Sequence, residues 1–159
     1  MAIVVEDRDA SSLGFFNVAD SYWTSASALH GLKLRTTHSH FPVKFLYHQT
    51  MELYLKSYLL LKGKSVAEIK GHLLIPLIEK FKEFGLEFEQ RDKDVFILLD
   101  RSNVVMNSRY LRTDIYWEPA IEDMDITCSR LRDTVRTEFL KSGIPLRATP
   151  SVPRPTRKA

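Results

Sequence analysis

Cysteine occurs once in the 159 residues, at Cys128. A lone thiol excludes an intramolecular disulfide and any cysteine-based zinc site. It is the usage expected of a reducing compartment, and the sequence is read as cytoplasmic. Histidine is scarce too: there are five, and none follows His72. Long hydrophobic runs are missing. The most apolar window, residues 45–61, is broken by His48, Gln49, Glu52 and Lys56, which is too polar for a membrane span. The opening MAIVVEDRDA has no basic segment followed by a long apolar one, so no secretory leader is expected. Acid is absent after Pro145, where Arg147, Arg154, Arg157 and Lys158 stand. The net charge of the whole chain is +3, so the remainder carries −1, the difference between +3 and +4. A basic tail can meet phosphate or an acidic surface, while the rest of the chain makes no such claim.

Hydrophobic spacing, by contrast, is plentiful. Phe15, Phe16, Ala19, Tyr22, Trp23, Ala26 and Leu29 recur at helical intervals, and Gly31 marks an end. A connector, LRTTHSHFP, leads to the strongest helix, residues 43–61, with Pro42 in its first turn and Gly63 beyond its end. Residues 72–84 predict a third helix. A fourth starts near Asp92 or Asp94 and runs through Val95, Phe96, Leu99 and Val105 to Tyr110. After an aromatic loop, a last helix starts at Asp125, with Met124, Cys128, Leu131, Val135 and Phe139 on one face. These segments predict an all-α, up-and-down antiparallel bundle of about five helices. Residues 1–14 read as an N-terminal arm, 15–141 as the helical domain, and 142–159 as a basic, proline-rich flexible tail.

One helix carries a charged stripe. Lys44, His48, Glu52 and Lys56 are four apart and stack on one face. Either this face is solvated, or Glu52 turns inward and meets a guanidinium, for which Arg109 is the candidate. Arg109 and Arg112, beside Lys56 or His48, could also form a small phosphate-facing patch, though no glycine-rich phosphate loop accompanies them. Tyr47, Tyr54 and Tyr58 share one side, as a helix at the edge of a core or at a dimer interface would have. Tyr116 and Trp117, in the loop, are candidate partner-facing aromatics. His38, His40 and His48 have metal-capable side chains, but a loop separates them, and neither metal nor cofactor is expected. His72 reads as a helix-start or packing residue and Cys128 as inert core.

The run HQTMELYLKSYL, with His48, Gln49, Glu52, Leu55, Lys56 and Leu59, is followed by Gly71-His72 with Leu73 and Leu77, and later by NSRY at residues 107–110. In order and spacing these pieces resemble the HEPN domain, an all-helical family, over roughly residues 15–140. The resemblance implies a helical domain that dimerises, in which Tyr110 belongs to an arginine-tyrosine signature. It also implies roles as a ribonuclease toxin, or as the partner of a small nucleotidyltransferase in a toxin–antitoxin-like pair. Ribonuclease members carry a late arginine followed four to six residues on by histidine. Here no histidine follows Arg109, Arg112, Arg130, Arg132 or Arg136. Arg35 and His40 have that spacing, but in the connector before the second helix. The sequence therefore points to a non-catalytic, homodimeric interaction module. Nucleotide or RNA binding is the alternative reading, and a divergent ribonuclease a further one.

Overall fold

A computed structural model of the chain describes residues 11–32, 37–107 and 117–146. Among them lie six helices and no strand: α1 (Ser12–Gly31), α2 (His40–Leu61), α3 (Leu74–Lys82), α4 (Gln90–Ser102), the single turn α5 (Val104–Asn107) and α6 (Ile121–Lys141). The fold is all-α, with five substantial helices.

Helix α2 is the axis of the bundle, packed by α1, α3, α5 and α6. Its apolar positions wrap most of its circumference, so it is buried nearly all round, as a central helix must be. Helix α1 runs antiparallel to it. Ser57 near the end of α2 bonds to the Ser12 carbonyl at the start of α1, and Tyr54 meets Asp20. Helices α3 and α4 form a second antiparallel pair, with the start of α3 at Asp100 near the end of α4. The 62–73 connection carries the chain back along α2, so Glu52 faces His72 and Tyr58 packs on Phe81. The up-and-down order thus holds within each pair, with a return segment between them. Helix α6 closes the core, its Met124, Cys128, Leu131, Val135 and Phe139 all buried on the face the spacing predicts.

Local chemistry sets the helix ends. Ser11 caps α1 by accepting the Gly14 N–H at 3.0 Å. Both α2 and α6 stop at glycines with positive φ, Gly63 at 89° and Gly143 at 71°. In each, the residue after the glycine bonds back over five residues, Lys64 to Leu59 and Ile144 to Phe139, which satisfies the last carbonyls. Leu73 offers α3 no side-chain cap. Asp100 of α4 takes its place, accepting the Leu74 and Ile75 N–H groups at 2.8 Å each. Burial pushes the Asp100 carboxyl above its usual range, opposed by those two bonds.

Several boundaries differ from the sequence reading. Helix α1 begins at Ser12 rather than Phe15, because Ser11 is the cap. The fourth helix does not run to residue 110: it stops at Ser102, because Asn103 adopts the left-handed conformation at φ 47°. Helix α6 begins at Ile121, which places Asp125 inside it rather than at its start. Ile144 and Leu146 pack against the core, so the domain extends past residue 141. No described helix is long and apolar enough to cross a membrane.

Candidate functional site

The charged stripe of α2 is not a solvated face. His48 and Glu52 are each 2% exposed and Lys56 9%. An ionised carboxylate removed from water needs partners, and Glu52 has two within hydrogen-bonding distance. Lys56 Nζ donates to its Oε1 at 2.6 Å, one helical turn away. His72 Nδ1, from the segment before α3, stands 3.3 Å from both Oε1 and Oε2. Lys56 Nζ also donates to the Gly71 carbonyl at 2.8 Å, so one ammonium ties α2 to the return segment twice.

His48 completes the group without a hydrogen bond to Glu52. Its Nδ1 lies 4.0 Å from Glu52 Oε2, too far for a hydrogen bond, and has no other partner. Burial pulls the His48 pKa down to about 4 against the upward pull of the Glu52 charge and of a bond to the His72 backbone; the charges of His72 and Lys56 add to the lowering. The imidazole is therefore neutral at pH 7. Beside it is a small cavity of about 100 Å³, bounded by His48, His72, Leu73, Leu99 and Val104. The His72 side chain is 66% exposed and stands between Glu52 and solvent.

Of the residues expected at a site, the structure brings His48, Glu52 and Lys56 together. Arg109, Tyr110, Arg112 and Tyr116 lie outside the described residues, as does Arg35. The partners that Glu52 has among the described residues are Lys56 and His72. Trp117 is 84% exposed. It stands on a segment pinned on its C-terminal side, where Glu118 pairs with Lys44 and Pro119 is buried. Lys44, the first residue of the stripe, is thus engaged with the loop.

Tyr47 and Tyr54 correct the expectation of a half-wet edge. Both are fully buried, and their hydroxyls donate to carboxylates, Tyr47 to Asp125 at 3.1 Å and Tyr54 to Asp20 at 2.5 Å. Tyr58 is buried against Phe81, with ring centroids 4.0 Å apart. Burial first, then the adjoining carboxylates, pushes the Tyr47 and Tyr54 phenols far above their ordinary range. These rings belong to the core.

Sequence reasoning missed four participants. His72 was read as a helix-start or packing residue and proves to be a partner of Glu52. Asp20 holds Arg132 in a fork, Nε to Oδ1 at 2.8 Å and Nη2 to Oδ2 at 3.0 Å, and Asp125 accepts the Trp23 indole N–H at 2.8 Å. A signal existed. Asp20 falls between Phe16 and Trp23 on the apolar face of α1, and Arg132 adjoins Leu131 on that of α6. A charge on each of two apolar stripes calls for a pair.

Chemically, Glu52 orients the exposed His72 imidazole, and the carboxylate's charge is already met by Lys56. The Lys56 ammonium is engaged by Glu52 and by the Gly71 carbonyl. Among the described residues, no group of three His, Cys, Asp or Glu side chains is placed to hold a metal ion. Cys128 is fully buried, its S–H toward the Tyr47 carbonyl at 3.8 Å, and burial pushes its pKa well up. No family model matches the chain, and neither does any curated protein or solved structure. The likeness to HEPN domains therefore rests on the sequence motifs.

Proposed function

We propose that this chain is a non-catalytic helical interaction module that pairs with a second copy of itself through the surface around Trp117. The observation that carries this reading is the exposure of that indole, 84%, on a segment held to α2 by the Glu118–Lys44 pair. A large aromatic kept in water at a fixed place is what an interface anchor requires, because its burial is deferred to association. The inward polar groups fit the same reading. Glu52, Asp20 and Asp125 each bind two side chains of the chain's own fold. A nucleotidyltransferase-type protein, which the HEPN resemblance implies, is the heterologous partner consistent with such a module.

Sedimentation equilibrium of the purified chain and of Trp117→Ala tests this. The expected result is a dimer that becomes monomeric in the variant, with unchanged helical circular dichroism. A wild-type monomer, or a dimer indifferent to Trp117→Ala, overturns it.

A further inference from the structure

A groove of about 320 Å³ lies between the end of α3, the start of α4 and the middle of α6, away from Glu52. Its floor is apolar: Phe81, Phe88 and Leu131, with the two rings 5.0 Å apart. Its walls carry four carboxylates, Glu87, Glu89, Asp92 and Asp133, against one guanidinium, Arg130. That guanidinium is already matched. Arg130 Nη1 stands 2.6 Å from Glu89 and 3.2 Å from Asp92, and Asp92 also accepts the Thr127 hydroxyl at 2.7 Å. Glu87 and Asp133 are exposed and have no ion pair among the described residues. The groove therefore offers an apolar floor under unmatched negative charge, the complement of an extended segment with cationic side chains and small apolar ones.

The same chain contains such a segment. Residues 147–158, RATPSVPRPTRK, have four basic side chains and no acid, with Val152 and three prolines between them. They follow directly on Ile144 and Leu146, which are packed against the core beyond the end of α6. From Lys141 back to Thr134 along α6 is about 10 Å. Twelve extended residues reach about 40 Å, ample for the return.

We propose that residues 147–158 of this chain occupy its own acidic groove, Arg154 and Arg157 facing Glu87 and Asp133. The groove is then a peptide-binding surface for short, basic, proline-containing segments, with the chain's own tail as its resident occupant.

The test uses the full chain. The native thiol, Cys128, is buried, so a cysteine placed by Thr156→Cys takes a nitroxide label selectively. Amide signals of residues 87–92 and 127–134 are then read for paramagnetic broadening. Strong broadening there is expected, independent of protein concentration and lost near 1 M salt, where the screening length is about 3 Å. Glu87→Lys with Asp133→Lys should abolish it, both positions being exposed. Adding Arg154→Glu and Arg157→Glu to that variant should bring it back. Absence of broadening in the native chain, broadening untouched by the charge reversal, or broadening that grows with concentration and so comes from a neighbouring copy would each overturn the proposal.

Discussion

His72 closes on Glu52 from the solvent side. Its Nδ1 stands 3.3 Å from each carboxylate oxygen, while Lys56 grips Oε1 at 2.6 Å. An exposed residue of the return segment and two buried residues of α2 thus share one charge centre. The first consequence is energetic. Glu52→Ala leaves the Lys56 ammonium largely buried with the Gly71 carbonyl as its remaining partner. Breaking a buried pair in this way costs about 3 kcal/mol or more. A lower urea midpoint at unchanged slope is the expected readout. Glu52→Leu with Lys56→Met, which removes both charges, should recover most of the loss. A cost under about 1 kcal/mol for Glu52→Ala would mean that water reaches the pair.

Acid should weaken the fold through His48. Its folded pKa is depressed to about 4, against about 6.5 for an unperturbed imidazole. Between those values the unfolded chain binds the extra proton, so stability rises with pH across this window and is lost as pH falls from about 6.5 to 4. The contribution is on the order of 3 kcal/mol. Glu52, Lys56 and His72 face the same ring, so the comparison should be made within one background. Urea titrations at pH 4.5 and 7.5 should show a smaller difference for His48→Gln than for the native chain. Equal differences would place the pH dependence elsewhere.

Asp20 joins three helices through one carboxylate, taking the Tyr54 hydroxyl from α2 and the Arg132 fork from α6. Tyr54→Phe removes one donor to a charged carboxylate and should cost about 1.5–2 kcal/mol. Asp20→Ala strands the buried Arg132 and should cost about 3 kcal/mol. Chemical denaturation orders the two; a larger loss for Tyr54→Phe would contradict the geometry.

Asn103 separates α4 from α5 at φ 47°. Asn103→Gly should leave stability within a few tenths of a kcal/mol, whereas Asn103→Val forces a β-branched residue into left-handed backbone at a cost of about 1–2 kcal/mol. Thermal unfolding of the two variants reads the difference. A harmless valine would show that the backbone at 103 relaxes.

The faces of the bundle were legible because burial repeats with the helix. Met124 to Phe139 on α6 and Phe16 to Ala26 on α1 lie inside, as their intervals require. Ends set by local chemistry, such as the one at Gly63, were legible too. Ends set by tertiary contact were not. Asp100 caps α3 from 26 residues away, and Asp125 looks like a cap while serving Trp23 from mid-helix. The stripe on α2 showed its spacing but not its direction, because periodicity cannot say which side of an all-round helix meets a polar neighbour. That neighbour, His72, is brought to Glu52 by a connection whose path no residue pattern announces.

The central place of α2 also sets the order in which the chain can mature. Tyr47 and Tyr54 reach their final surroundings only when α6 arrives, since Asp125, Cys128 and Arg132 stand beside them or their partners. On the ribosome, the hairpin of α1 and α2 precedes the end of α6 by 80 residues, about 4–16 s of synthesis. During that interval the most apolar stretch of the chain lacks its lid, and its buried face stays in contact with water.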